Sequence, residues 1–89
     1  MTDVNTVLAE RGKRYGEFHE HADIAQSLKH IMHCTGIWSQ LSNDKREALE
    51  MIQHKVARIL NGDPDYTDNW IDIAGYATLV TKRLEGVTV

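Results

Sequence analysis

Cysteine, proline and long apolar runs are scarce in this sequence of 89 residues. Its single cysteine, Cys34, cannot form an intramolecular disulfide, which is typical of a protein in a reducing compartment. No run is long and apolar enough to predict a transmembrane helix. The segment Met1–Asn5 has neither the basic stretch nor the apolar run of a signal peptide. Together these absences predict a cytoplasmic protein.

An excess of basic residues is also missing. Lysine and arginine number 10 against 13 acidic residues, which gives a net charge of −3. Because non-specific nucleic-acid binding depends on neutralising phosphates with cations, this balance argues against it. No segment alternates polar and apolar residues as a half-buried strand would. The sequence therefore predicts an all-α fold, formed as a single domain over residues 1–89.

The clearest positive pattern is the amphipathic stretch Arg46–Leu60. Helical spacing predicts one apolar stripe along it, formed by Leu49, Ile52, Val56, Ile59 and Leu60. Ser42 is the expected N-cap of this helix, and Asn61–Gly62 with the following Pro64 should end it.

Three further helices are expected: a short one ending near Gly12, a long one from about Glu17 to Thr35, and one over Asp68–Leu84 that is capped by Thr67. Because the loop between the last two helices is short, they should form an antiparallel hairpin. Gly75 lowers helix stability in its position, so we expect another helix to pack closely against it. A helical bundle of this size has a thin core, which favours self-association into a homo-dimer or larger assembly.

Charged side chains should meet across this hairpin. Lys55 and Arg58 lie near the end of one helix, and Asp72 lies near the start of the next. One interpretation is an ion-pair network that fixes the hairpin. The other is a pocket for nucleotide phosphates, in which Lys55 and Arg58 bind the anion while Asp72 orients them or holds a metal. In that pocket Trp70 or Tyr76 would stack on the base, although Tyr76 also fits a core position.

A second basic element is the segment Gly12–Gly16, which carries Lys13 and Arg14 between two glycines. It could offer backbone N–H groups and two cations to a phosphate, although it lacks the full pattern of a P-loop. The alternative is a solvated turn between two helices.

Acidic residues on two helices could form a metal site. Glu47 and Glu50 share one helical face, and Asn69 and Asp72 share another on the last helix. Carboxylates that converge from two helices would hold Mg²⁺, which prefers oxygen ligands. In an antiparallel hairpin these groups meet only through a favourable crossing angle or a second subunit.

The histidines support more than one interpretation. His30, His33 and Cys34 have the spacing of zinc ligands but lack a fourth ligand, so they are either a metal site or solvent-facing side chains. His21 falls on the apolar side of its helix and should be a hydrogen-bonded core residue. His54 and Glu50, one turn apart, are either a general base with its orienting carboxylate or a plain surface pair.

The acidic residues partly resemble a known motif. Glu47-x-x-Glu50, followed after 18 residues by Asn69-x-x-Asp72, is similar to the EExxE and ExxD elements of MazG-like NTP pyrophosphohydrolases. The resemblance implies an all-α dimer or tetramer in which Mg²⁺, bound at the three matching carboxylates, assists hydrolysis. The sequence departs from the pattern at Arg46 and Asn69. An arginine at this place would repel the metal and pair with its ligands.

A longer resemblance covers nearly the whole chain. Residues 10–18 (ERGKRYGEF), 55–59 (KVARI) and 68–76 (DNWIDIAGY) are similar to a family of small uncharacterised phage and prophage proteins. The resemblance implies an all-α phage accessory protein that works in the cytoplasm of a bacterial host. It implies no particular activity.

Two functional hypotheses follow. One is MazG-like binding of nucleotide phosphates, by a protein that is a weak pyrophosphohydrolase or has lost that activity. The other is a non-catalytic module that inhibits or redirects a host protein through exposed apolar residues such as Ile37 and Trp38. Mg²⁺-dependent nucleotide binding would separate the two.

Overall fold

The structure, a computed structural model, describes residues 3–89. Its elements in chain order are α1 (Val4–Tyr15), α2 (Phe18–His33), a 3₁₀ turn (Trp38–Gln40), α3 (Asn43–Asn61) and α4 (Thr67–Leu84). No strand occurs within this range, so the all-α prediction is confirmed. Over the same range, no helix combines the length and hydropathy that a membrane span requires.

The first helix is longer than the sequence predicts. It continues through Gly12 to Tyr15 and ends at Gly16, whose φ of 77° is readily adopted by glycine alone. The expected turn in this segment is therefore wrong, and Lys13 and Arg14 lie in the last turn of α1. Gly12 does not end the helix because a single glycine only weakens a helix, and the following basic residues suit its C-terminus.

The other helix boundaries lie within two residues of the predicted ones. Ser42 occupies the N-cap position of α3, as predicted. The predicted cap of α4, Thr67, is one residue too late, because Thr67 is already helical and Tyr66 is the N-cap.

The last two helices form the predicted antiparallel hairpin, in which α3 and α4 make the most extensive contact of the fold. Near its closed end, Lys55 Nζ lies 3.0 Å from Asp72 Oδ2, and near its open end Arg83 Nε lies 3.5 Å from Asp44 Oδ2. The other flank of α3 packs against α2, and α1 contacts both α2 and α3. The central element of the fold is therefore α3.

The buried core is made of small and polar side chains. Within the described residues, the buried apolar side chains are all alanines: Ala25, Ala48 and Ala57. The other buried side chains are His21, Gln53 and Asn69. Alanines let helices approach closely, but each buries little surface. Most large apolar side chains therefore remain partly exposed.

The apolar stripe predicted on α3 does not lie in this core. Leu49 is 41% exposed and Leu60 is 67% exposed, whereas the neighbouring Ala48 and Ala57 are buried. Because α3 is packed on two flanks, its most buried positions face α2 and α4. The first part of the stripe, Leu49 and Ile52, borders open hollows on both sides, whereas Ile59 and Leu60 line neither hollow.

The expectation for Gly75 is wrong. A Cβ on this residue would meet nothing within 4 Å, so none of the helices in residues 3–89 approaches it closely. Gly75 is exposed because it lies on a side of α4 away from α3.

Candidate functional site

The turn that joins α1 to α2 is held against the end of α3 by directional hydrogen bonds. The side-chain amide of Asn61 donates to the carbonyls of Tyr15, at 2.8 Å, and Glu17, at 3.0 Å. The backbone N–H of Asp63 donates to the carbonyl of Arg14 at 2.7 Å. Two of these carbonyls belong to the last turn of α1, where a helix leaves its acceptors unpaired. We call this set of contacts the clamp.

Two glycines make the clamp feasible. A Cβ on Gly16 would overlap the carbonyl of Asn61, and a Cβ on Gly62 would overlap the carbonyl of Arg14. Gly16 also has a positive φ, which disfavours any other residue. The Tyr15-Gly16 sequence is thus explained by backbone approach rather than by a phosphate loop.

Next to the clamp, α1, α2 and α3 surround a cleft of about 470 Å³. Its lining combines apolar and aromatic side chains with cations and histidines. The side chains important below are Leu8, Arg11, Tyr15, Glu17, Phe18, His21, His54 and Arg58. A cleft of this volume with a few convergent polar groups is a common form of small-molecule site.

Aromatic stacking holds Arg58 in the cleft wall. Its Cζ lies 4.0 Å from the centroid of the Tyr15 ring, a cation–π contact that positions the guanidinium without neutralising it. Tyr15 packs edge-on against Tyr66 at 6.0 Å, and Arg14 Cζ lies 5.0 Å from the Tyr66 ring. Among residues 3–89, no carboxylate forms a salt bridge with Arg58 or Arg11. The charge of each of these two arginines is therefore not compensated by a salt bridge within the described residues.

Two histidines face each other in the cleft lining. The ring centroids of His21 and His54 are 4.7 Å apart, and the rings are nearly perpendicular at 81°. Burial, and then the charge of Arg58, lower the pKa of His21. Burial also lowers the pKa of His54 to about 4, and the charges of Arg58, His21, Lys55 and Lys29 act in the same direction. Both rings are therefore neutral at pH 7, in surroundings whose positive charge favours an anion.

His21 is buried as predicted, but it is not satisfied as predicted. Its Nδ1 has no hydrogen-bond partner among the residues that the structure describes. A buried nitrogen without a partner costs free energy, so a ligand or water reaching in from the cleft would stabilise it. The predicted pairing of His54 with Glu50 is wrong, because His54 faces His21 and Glu50 Oε2 lies 3.6 Å from His33 Nε2.

The four residues predicted to bind phosphate do not form one site. Lys55 is bound to Asp72, which compensates its charge, so this half of the predicted ion-pair network is confirmed. Arg58 does not join that pair, because it is held over an aromatic ring of α1 instead. Lys13 and Arg14 lie in the turn of α1 that borders the cleft.

The three carboxylates predicted to hold Mg²⁺ lie in different surroundings. Glu50 contacts His33, and Asp72 is taken by Lys55. Glu47 lines a separate hollow beside the end of α4. Across residues 3–89, no three or more His, Cys, Asp or Glu side chains are grouped so as to hold a metal ion. A single chain therefore does not assemble the predicted Mg²⁺ ligands.

The two departures from the MazG-like pattern are explained by packing. Arg46 donates from Nε to the carbonyl of Trp38 at 3.2 Å and from Nη2 to the carbonyl of Ser39 at 2.7 Å. It fixes the 3₁₀ turn to the start of α3. The expectation that it would pair with the nearby carboxylates is therefore wrong. Asn69 is 1% exposed on the buried side of α4. A glutamate there would bring a charge into the core.

The aromatic residues predicted to stack on a base lie outside the cleft. Trp70 is 53% exposed, and its indole N–H donates to the carbonyl of Pro64 at 2.8 Å. Tyr76 lines the separate hollow beside the end of α4. The aromatic side chains that the cleft contains are Tyr15 and Phe18.

The proposed zinc ligands on α2 also separate. Cys34 Sγ lies 3.6 Å from His30 Nε2. His33 turns the other way, stacks 4.6 Å from the Trp38 ring and contacts Glu50. These three side chains do not converge on one point.

Sequence reasoning missed most of the cleft. Arg11, Phe18 and the facing pair His21 and His54 were not assigned to a common site, because they come from three helices. The signal that could have found them is the block at residues 10–18, which supplies Arg11, Tyr15 and Phe18 at helical and turn spacing. The block resembles a family motif. Its cation and aromatic rings form a common site only when the block packs against the end of α3, next to Arg58.

The fold and this cleft define a class, an all-α protein with a cleft lined by cationic and aromatic side chains. Residues 2–84 match the model of a family described as Domain of unknown function (DUF6378), and the chain belongs to this family. The match agrees with the resemblance to an uncharacterised family and includes the whole cleft. No curated protein and no solved structure matches this chain.

Proposed function

We propose that the protein binds the phosphate groups of a nucleotide in the cleft between α1, α2 and α3. Arg58 is the observation that carries this proposal. It is fixed over Tyr15 at 4.0 Å, and no carboxylate of the described residues neutralises it. A planar guanidinium held in this way offers several donors in the geometry that phosphate oxygens need. Arg11 adds a second cation to the same cleft.

The rest of the cleft suits the rest of a nucleotide. Phe18 is 82% exposed and offers a ring face to a base. The carboxylate of Glu17 can accept hydrogen bonds from sugar hydroxyls or base amino groups, and its charge repels phosphate from that end. Lys13 and Arg14 are not part of the cleft lining, but they lie in the adjoining turn of α1 and attract an anion over a longer range. Lys55 is not part of this site, because Asp72 compensates its charge.

Binding, rather than hydrolysis, is the activity that the residues support. Glu47, Glu50 and Asp72 do not meet within one chain, so the Mg²⁺ site of MazG-like enzymes would need ligands from a second copy. The proposal therefore retains a MazG-like ligand, a nucleotide phosphate, without its catalytic metal site. We place this binding protein in the cytoplasm of a phage-infected bacterium, as the sequence resemblance implies.

A thermal-shift series tests the proposal. Ribo- and deoxyribonucleoside triphosphates, monophosphates and pyrophosphate are each added at about 1 mM with and without Mg²⁺. A ligand that binds only the folded state raises the melting temperature, and at a fixed concentration the tighter ligand raises it more. We expect triphosphates to raise it more than monophosphates do, and we expect the effect to persist without Mg²⁺. No shift with any nucleotide or with pyrophosphate would overturn the proposal.

Matched variants locate the ligand. Arg11→Gln removes an exposed cation of the cleft that makes no salt bridge to the part of the chain that the structure describes, so the fold should be kept. Arg83→Gln makes the same change at the open end of the hairpin, far from the cleft. The nucleotide-induced shift should fall for Arg11→Gln and remain for Arg83→Gln. Equal shifts in both variants would place the ligand elsewhere.

A second candidate function is the interaction module that binds a host protein. The observation that favours it is Ile37, which is 60% exposed beside the half-buried Trp38. This candidate predicts no response to nucleotides. It also predicts that Ile37→Glu loses a host partner that the unmodified protein captures.

A further inference from the structure

A continuous apolar surface crosses the molecule at the first part of the α3 stripe. Leu49 and Ile52 form a ridge along α3 between two hollows. The hollow on the α2 side measures about 480 Å³ and is bordered by Leu28 and Met32. The hollow on the α4 side measures about 350 Å³ and is bordered by Val80 and Leu84. We call these six residues and the two hollows the apolar face.

The apolar face is almost free of charge. In the hollow on the α2 side, the polar side chains of the lining are Thr35 and Gln53, and neither is ionised. In the hollow on the α4 side, Lys45 is the charged side chain. A surface of this kind offers no charge complementarity to an acidic or basic partner. Its occupant must be equally apolar.

The chain exposes more surface than a monomer of its size should. Its accessible area is 6397 Å², whereas a compact monomer of 10.1 kDa exposes about 5,300 Å². The radius of gyration is 15.1 Å, against about 12 Å for a compact chain of this length. The excess of about 1,100 Å² is larger than the roughly 800 Å² that each partner contributes to a stable protein interface.

We propose that a second copy of this chain covers the apolar face about a two-fold axis, with the two α3 helices crossing each other. A two-fold interface brings the same patch of both subunits together, so an apolar patch finds an equally apolar partner in its own copy. A ridge flanked by hollows is also suited to pack against itself, because the ridge of each copy enters a hollow of the other.

This arrangement explains the small core. In one chain only alanines are buried among the apolar residues that the structure describes. In the dimer, Leu49 and Ile52 and the side chains around them become the core, shared between the two subunits. Helix α3, which is central in each chain, is then central in the dimer.

Sedimentation of the unmodified protein tests the proposal. At protein concentrations up to about 200 µM, we expect a species of twice the chain mass of 10.1 kDa. A species that stays at the chain mass over the whole range would overturn the proposal. That result is also the one expected if a host protein were the natural occupant of the face.

Two variants of α3 test which face is used. Leu49→Glu places a charge on the ridge and should shift the protein to the chain mass. Leu60→Glu makes the same change on the same helix outside the apolar face and should leave the dimer intact. A dimer that survives Leu49→Glu, or that is lost equally in both variants, would contradict the assignment of the face.

Two further measurements keep the test decisive. If circular dichroism shows that Leu49→Glu is unfolded, Leu84→Glu replaces it, because Leu84 is 69% exposed at the edge of the face. Retention of the dimer in folded Leu84→Glu would then count against the face.

The inference does not depend on the nucleotide, because the cleft lies at a separate place on α3. Monomeric Leu49→Glu should therefore show the same nucleotide-induced thermal shift as the unmodified protein.

Discussion

The cleft and the apolar face lie on the same central helix but are constructed in different ways. At the cleft, the turn between α1 and α2 is fixed by hydrogen bonds from Asn61 and Asp63 that have definite lengths and directions. At the apolar face, large side chains such as Leu49 remain partly exposed between hollows, with no directional contact. The first region is closed by contacts within one chain, whereas the second leaves apolar side chains exposed.

This difference separates the two kinds of function that the molecule supports. A ligand site needs groups that are held in place before the ligand arrives, and the clamp and the Arg58–Tyr15 contact supply that order. An association surface needs exposed apolar area. Because the buried apolar side chains are alanines, larger side chains such as Leu49 remain exposed and supply that area. Changes at the cleft should therefore alter ligand binding and local order, whereas changes at the face should alter assembly.

The largest effect on stability is expected from a substitution of Gly62 in the clamp. Gly62→Ala places a methyl group on the carbonyl of Arg14, so the backbone must shift and the clamp must open. We expect the free energy of unfolding to fall by about 3 kcal/mol, as for other strained or overpacked sites. Denaturant titration measures this loss. Gly12→Ala is the control, because a Cβ there meets nothing within 4 Å; a similar loss in both variants would contradict the clamp.

A smaller effect is expected from the ion pair of the hairpin. Asp72→Ala leaves Lys55, whose side chain is 12% exposed, without its partner at 3.0 Å. We expect a loss of about 1–3 kcal/mol, because a charge that is largely buried becomes unpaired. Replacing Lys55 with Met in the same protein should restore part of the loss. Chemical denaturation of the single and double variants measures both, and an unchanged stability in Asp72→Ala would show that Lys55 is solvated.

The histidine pair predicts a pH dependence of stability. His54 has a pKa of about 4 in the folded protein, below its ordinary value of 6.5. The unfolded state therefore takes up the proton first, and stability is lost as the pH falls from about 6.5 toward 4. Between pH 7 and pH 5 the unmodified protein should lose roughly 1–2 kcal/mol more than His54→Gln.

Urea titrations at several pH values measure this difference. His19→Gln is the matched control on α2, because that histidine lies exposed at the surface. If His54→Gln and the unmodified protein lose stability in parallel, the ring of His54 does not carry the effect.

The smallest effect is expected on the open side of α4. Gly75→Ala adds a methyl group where nothing lies within 4 Å, and alanine favours the helix. Stability should rise by up to about 1 kcal/mol, a gain that thermal unfolding can detect. A loss of stability would contradict the open surroundings of Gly75.

Local rules predicted the helices and their pairing well. Period-3.6 spacing located all four helices, and a five-residue loop between α3 and α4 made the antiparallel hairpin and the Lys55–Asp72 pair predictable. These features depend on neighbours in the sequence. The predicted end of α1 near Gly12 is wrong. Gly12 lowers the helix stability only locally, and the helix continues through the basic residues that follow it.

The site could not be predicted to the same degree, because it depends on contacts between distant segments. The partner of Arg58 is Tyr15, which lies 43 positions earlier, and nothing in the spacing of α3 indicates it. Periodicity shows which side of α3 is apolar. It does not show that α2 and α4 bury the alanines on the two flanks of α3 and leave Leu49 partly exposed.

Isothermal titration of a nucleoside triphosphate into the unmodified protein and into Arg58→Gln tests the central claim most directly. We expect a dissociation constant below about 1 mM for the unmodified protein. Loss of one fixed guanidinium should weaken binding about tenfold or more. The melting temperature of each protein without ligand shows whether the fold is kept. Equal affinity in the two folded proteins, or no heat of binding in the unmodified one, would contradict the assignment of the cleft as a phosphate site.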